Sequence, residues 1–186
     1  MLSYKCLRDQ RISSGEYCLM PVQEEHIDLI RRWRNEQIKV LRQTSIITKT
    51  QQKLYFSEKI WSELNKPYPS NILMALIYED YLIGYGGLVH IAWEHRRAEV
   101  SFLLATERAC DQKTYANDFS AYLGLIKFLA LEQLGLNRIF TETYNFRENH
   151  ICILENTGFV REGILRQHIF VDGMPIDSLI HGVLLN

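Results

Sequence analysis

The sequence predicts one α+β domain, a mixed central sheet of about seven strands flanked by helices. Three observations predict it. Short aromatic or β-branched runs, bounded by glycine, proline or acidic turn pairs, recur along the chain, with helical periodicities between only some of them. One strand–helix–strand crossover, from Arg96 through Leu134 to Tyr144, interrupts connections that otherwise read as hairpins. The chain then closes on two long strands around Val171-Asp172-Gly173. At 186 residues, with 47% hydrophobic and 11% aromatic content, the chain suits a single packed domain rather than disorder.

Taken in order, Met1 to Ser14 is a loose lead-in, and Glu16 to Pro21 a first strand stopped by Pro21. Gln23 to Arg42 is helical, with apolar residues at Ile27, Ile30, Trp33, Ile38 and Leu41; Asn35 is a place where it can break in two. Thr48 with Gln51 forms a capping-box signal for a helix over Lys49 to Leu64, ended by Pro67 and Pro69. Asn71 to Tyr78 is a buried strand, turning at Glu79-Asp80 into a long strand, Tyr81 to Trp93. Gly84, Gly86 and Gly87 inside that strand mark a bulge or a close approach of another group. Arg96 to Leu104 is the next strand and Ala105 to Lys113 a loop. Tyr115 to Leu134 is an apolar helix stopped by Gly135. Arg138 to Tyr144 is a strand, and Glu148 to Asn156 a helix closed by Gly158. Phe159 to Phe170 and Ile176 to Leu185 form the closing hairpin.

Composition narrows the function classes. Net charge is −1 and no long basic run exists, which disfavours nucleic acid as a partner. The densest basic cluster, Arg31-Arg32-Trp33-Arg34, has the ordinary reading of a solvated helix face. No segment is long enough to span a membrane; the most apolar window, Phe119 to Leu131, is short and carries Lys127. The N-terminus has no signal-peptide core. Cys6, Cys18, Cys110 and Cys152 show neither metal-site nor disulfide spacing, so no metal is expected and free thiols in the cytoplasm are the default. Cys152 lies in an apolar helical pattern, a setting that argues against a nucleophile.

The last third of the chain carries a family pattern. It runs Gly135-Leu136-Asn137-Arg138-Ile139, a strand to Tyr144, and the polar turn Asn145-Phe146-Arg147-Glu148-Asn149. Thr157-Gly158-Phe159 and Glu162-Gly163-Ile164-Leu165-Arg166 follow. This order resembles the C-terminal half of the GNAT superfamily of acyl-CoA-dependent N-acyltransferases. The subgroup it looks like modifies ribosomal-protein N-termini and amino sugars, and the element order agrees over essentially the whole chain. The resemblance implies acetyl-CoA as the donor, a small-molecule amine as the acceptor, and a homodimer as a common assembly. It also implies that the fourth and fifth strands, Arg96 to Leu104 and Arg138 to Tyr144, splay apart to admit the pantetheine arm. The arm would pair with backbone at Phe102, Leu103 and Leu104, and an N–H near Leu103 would bind the oxyanion. The pyrophosphate would sit before the next helix, on Lys113, Thr114, Tyr115, Ala116 and Asn117.

The chain departs from the family at that loop. The usual pattern is Q/R-x-x-G-x-G/A, and the alignment puts Tyr115 and Asn117 at the glycine positions. Asp111 and Asp118 carry the wrong charge for a pyrophosphate, while Lys113, Thr114 and Asn117 offer side-chain donors. In the turn after the fifth strand, Arg147 takes the usual asparagine position. Asn145 or Asn149 beside it bonds the pantetheine or serves only as turn and cap. His150 either contacts the cofactor or caps the helix.

Acyl transfer to an amine needs a base for the amine proton, a donor for the oxyanion and an acid for the thiolate. Glu99 is the candidate base. A carboxylate in the apolar run Ala98-Glu99-Val100-Ser101-Phe102 is unfavourable unless paired or used, and alternation puts Glu99 and Ser101 on one face. A structural pair with Arg96 or Arg97, or substrate orientation alone, is the alternative. Many relatives place an acidic tyrosine four residues before the Gly-Phe; here that residue is Leu154. Tyr144 is the replacement candidate, with Tyr85, His150 or unaided departure as alternatives.

On the acceptor side, Trp33-Arg34-Asn35 followed by Arg42-Gln43 is similar to acetyltransferases acting on nucleotide-linked sugars. Arg34 or Arg42 would hold a phosphate or an acidic sugar, and Trp33 either stacks on a sugar face or base or anchors the core. Asn35 is a ligand contact or a helix breaker, and Tyr85, His90 and Trp93 line the entrance, with Asp177, Ser178 and His181 nearby. The expected activity is acetyl transfer to a primary amine on an amino sugar or nucleotide sugar. The rivals are a protein N-terminal acetyltransferase and a non-catalytic acyl-CoA or metabolite-binding module.

Overall fold

The computed structural model describes residues 1–185. One sheet of eight strands crosses the molecule: β1 (Ile12–Ser14), β2 (Tyr17–Pro21), β3 (Ile72–Tyr78), β4 (Tyr81–Ala92), β5 (Arg97–Leu104), β6 (Arg138–Tyr144), β7 (Val160–Val171) and β8 (Met174–Leu184). The spatial order is β1-β2-β3-β4-β5-β6-β8-β7. All neighbours are antiparallel except β5 and β6, which the crossover makes parallel. The count is eight rather than seven because the expected lead-in ends in a strand. Gly15, at φ +57, turns the chain, and Ile12 pairs with Leu19 and is buried.

Five helices cover the two faces: α1 (Ile27–Glu36), α2 (Lys49–Tyr55), α3 (Thr106–Ala109), α4 (Gln112–Phe128) and α5 (Glu148–Asn156). α2 starts on the expected capping box, with Gln51 N–H on Thr48 Oγ1 at 3.2 Å and Thr48 N–H on Gln51 Oε1 at 2.9 Å. It runs on through a wider π-helical turn to Ile60. α1 is shorter than the expected helix. It ends at Gln37, whose side-chain amide turns away to bond Leu104 O at 2.8 Å. Asn35 lies inside α1 and does not break it. The segment expected as a loop over 105–113 instead holds α3 and the first residues of α4, because Asp111 caps α4 and starts it ahead of Tyr115.

Ile30, Trp33, Phe56 and Ile60 pack on one face of the sheet, against Leu73, Ala75 and Leu103. Phe119, Tyr122, Leu123 and Ile126 of α4 pack on the other, against Met74, Leu88 and Val100. The crowding expected at the strand glycines is present. A Cβ on Gly86 would overlap Ser101 O and the Tyr122 hydroxyl, which donates to Ser101 O at 2.5 Å. β5 and β6 pair only from Arg97 with Arg138 to Glu99 with Phe140. Beyond that register they diverge, leaving Val100–Leu104 and Thr141–Tyr144 as the two walls of a gap.

Candidate active site

The gap opens into a cleft of about 840 Å³, counting its open mouth. Its two faces differ in chemistry. On the α1 side, Glu99 of β5 and Glu142 of β6 face one another across the splay. Arg42 Nη2 bridges them, donating to Glu99 Oε1 at 2.7 Å and Glu142 Oε2 at 2.8 Å. Both carboxylate side chains are 13% exposed and Arg42 is 52% exposed. His90 Nε2 lies 4.0 Å from Glu99 and His168 Nε2 3.9 Å from Glu142, both at the rim. The partners expected for Glu99 are elsewhere: Arg96 donates to Gly135 O, and Arg97 lies over the Phe140 ring. Glu142 and His168 escaped the sequence reading. The signal for Glu142 was available, since it too is a carboxylate in mid-strand.

On the α4 side the wall is aromatic, with Arg147 as its cation. Phe102 stacks on Phe119 at 4.6 Å between centroids, and His150 stacks on the same ring at 4.2 Å. Arg147 Nη2 donates to the Tyr115 hydroxyl at 3.0 Å, and that hydroxyl lies 2.7 Å from His150 Nδ1. Burial, then the charges of Arg147 and His181, hold His150 well below the ordinary imidazole value, so it is neutral. Tyr144 lines the cleft from β6. Burial raises its phenol, and Arg42 pulls the other way.

Several expected contacts take other roles. Tyr115 points inward and is buried, so it is no part of a phosphate loop; Ala116 and Asn117 sit beyond the first turn of α4. The N–H groups left at the α4 start are those of Gln112 and Lys113, since Thr114 N–H is spent on Asp111 Oδ1 at 2.7 Å. Asp118 faces away from any ligand, fully buried against Arg108 and Tyr17. Ala105 N–H donates to Ile83 O, so by alternation Leu103 turns its backbone toward β4, and Phe102 and Leu104 turn theirs to the gap. Arg147 is in the cleft wall, whereas Asn145 and Asn149 are exposed outside it.

Trp33 is a core residue, 3% exposed, and has no face for a sugar. Asn35 spends its amide on Ile47 and Gln43. Trp93 donates to Pro69 O and packs edge-on to Tyr68, away from the cleft. Arg34 is in the wall, held by the Tyr85 hydroxyl at 2.7 Å and Gln43 at 3.1 Å. Asp177 accepts from Gln167 N–H; Ser178 and His181 are fully buried outside the cleft. Leu154 is buried and forms part of the cleft lining. Cys152 is exposed on α5 rather than turned into its apolar side, and all four cysteines are free thiols. Among the described residues no cluster of three or more metal-ligating side chains occurs, and no helix is long and apolar enough to cross a membrane.

At this site a parallel strand pair splays over a crossover helix, with a carboxylate at the fork. Residues 20–180 match the model of the acetyltransferase (GNAT) domain, and the chain belongs to this family. It is 30% identical over 103 residues to the uncharacterized N-acetyltransferase YoaA of Bacillus subtilis (strain 168). That match spans 55% of each chain, about half the length of the relative. The fold is similar to that of spermidine N-acetyltransferase from Vibrio cholerae in complex with CoA and spermine. The TM-score there is 0.81 at 18% identity, over 92% of this chain and 97% of that one. A dodecameric form of the Vibrio cholerae enzyme, in an intermediate state, gives 0.76 at 18% identity over 92% and 95%.

Proposed function

We propose that the protein transfers the acetyl group of acetyl-CoA to a primary amine on a small polar acceptor, within the gap between β5 and β6. The observation that carries this is Glu99 at the fork of the splayed strands, fixed by Arg42 beside a free backbone edge. The gap suits an extended amide-bearing arm, because the backbone groups of Phe102 have no strand partner on that side. Lys113 and the first N–H groups of α4 supply donors for phosphate, opposed by the exposed carboxylate of Asp111. When bound, acetyl-CoA supplies the activated thioester. Glu99 takes the proton of the attacking amine, directly or through a water. The N–H of Phe102 is the oxyanion donor favoured by the strand alternation, in place of one at Leu103. Tyr144, on the β6 wall, is one of two groups in the cleft able to donate a proton to the thiolate.

For the acceptor, the reading favoured is an amino sugar or nucleotide-linked amino sugar. Arg42, Glu99, Glu142, His90 and His168 place donors and acceptors side by side at the mouth, a mixture suited to hydroxyl groups. A polyamine is the second reading, supported by the two facing carboxylates and opposed by Arg34, Arg42 and Arg147 around the same cleft. Acetyl-CoA consumption with amino sugars, sugar nucleotides and polyamines separates the two. Glu99→Gln is expected to lower turnover of the true acceptor by roughly 10²–10⁴-fold. Failure to acetylate any amine while acetyl-CoA still binds would favour a binding module instead.

A further inference from the structure

Leu154 stands where relatives are expected to carry an acidic tyrosine, and it offers no proton. The wall of the cleft holds a three-residue chain that the mechanism above leaves unused. Arg147 can only donate, so the Tyr115 oxygen accepts from it at 3.0 Å. The phenolic hydrogen is then free for His150 Nδ1 at 2.7 Å. Stacking on Phe119 fixes the ring. With Nδ1 accepting, a neutral His150 carries its hydrogen on Nε2. Nε2 has no protein partner among the described residues and is not one of the sealed polar atoms, and His150 forms part of the cleft wall.

We infer that Arg147, Tyr115 and His150 form a proton relay that serves the departing thiolate from the α4 wall, doing the work of the missing tyrosine. This rests on the acetyl-transfer reading. In the step, the C–S bond breaks and sulfur takes the Nε2 proton of His150. The Tyr115 hydroxyl proton passes to Nδ1. His150 ends neutral as the other tautomer, and the Tyr115 phenolate remains beside the Arg147 guanidinium. Burial raises the Tyr115 phenol, and Arg147 offsets only part of that rise. The charged and titratable groups around His150 are Arg147, Tyr115 and His181, the last bonded onward to Glu155 at 3.3 Å. Tyr144 lines the cleft from β6 and makes no side-chain hydrogen bond to the three, so the two acids can be substituted separately.

The test begins on the free protein with ¹⁵N-resolved NMR of the histidine rings. The relay predicts a neutral His150 in the Nε2–H tautomer from pH 6 to 8, and loss of that fixed tautomer in Tyr115→Phe. An Nδ1–H tautomer, or a charged ring at pH 6, overturns it. Single-turnover acetyl transfer comes next, with acetyl-CoA affinity measured separately. His150→Gln and Tyr115→Phe are expected to slow the chemical step by roughly 10²-fold or more, with affinity within about threefold. Tyr144→Phe is expected to slow it far less. If both relay variants fold, bind acetyl-CoA and transfer at the wild-type rate, the relay is wrong and the acetyltransferase reading stands. If wild-type protein acetylates no amine, the acetyltransferase reading falls and the relay falls with it as a catalytic device, whatever the tautomer.

Discussion

Two arginine–carboxylate clusters in this molecule differ in construction. Arg108 clamps Asp118 with two bonds, Nε to Oδ2 at 2.6 Å and Nη2 to Oδ1 at 2.9 Å, and Tyr17 donates to the same carboxylate at 2.8 Å. Asp118 is fully buried and its acceptors are filled. This cluster ties α3, α4 and β2 together. Arg42 instead reaches two carboxylates with one nitrogen, and none of the three is sealed from solvent. A saturated buried pair is finished structure. A half-satisfied one at the fork of two strands retains capacity for a ligand, which is why the site is placed there.

The largest effect expected from breaking this contrast is on stability. Asp118→Ala strips Arg108 and Tyr17 of their acceptor and should destabilise the fold by about 3 kcal/mol. Thermal melting should fall on the order of 6–12 °C, with the kcat/KM of the remaining folded protein little changed. Glu99→Gln should reverse the pattern, losing roughly 10²–10⁴-fold in kcat while melting within a few degrees of wild type. Arg42→Ala removes an exposed bridge worth about 0–1 kcal/mol. It should weaken a phosphate-bearing acceptor by about tenfold in KM, and improve the competition of a polyamine for the unmasked carboxylates. A fall in binding for both acceptor classes alike would contradict this role.

The smallest effect is on pH dependence. Burial, with Arg147 and His181, lowers the folded-state value of His150, so the unfolded chain binds its proton more readily. That preference is absent above the ordinary value near pH 6.5 and destabilises the fold as pH falls below it. The fold is therefore less stable at pH 5.5 than at pH 7.5. His26, lowered by burial, adds to it in the same direction. Denaturant titrations at pH 7.5 and 5.5 should show the loss, and His150→Gln should reduce it without abolishing it.

Much of the fold was legible because its signals are local. Strand alternation, the Thr48–Gln51 box, the Glu79-Asp80 turn and Gly135 each act within a few residues. The first strand was missed because three residues with one buried side chain, Ile12, make too short a pattern. The start of α4 was misplaced because the family alignment, not the cap at Asp111, set its position. Glu99 was legible as an anomaly within one strand. Its partner Arg42 lies 57 residues away, and Glu142 comes from a different strand, so only the fold brings them together. Trp33 and Trp93 show the converse. Their residue type suggested ligand contact, and packing spends both on the protein itself.

On the proposed function, the gap between β5 and β6 holds acetyl-CoA despite an α4 start without glycine. Thermal melting with and without excess acetyl-CoA tests it most directly. Ligand at about 100 times its dissociation constant adds roughly 2.7 kcal/mol, on the order of 5–11 °C for a domain of this size. A shift of that scale is the predicted result. An unchanged melting temperature at millimolar acetyl-CoA would contradict the account.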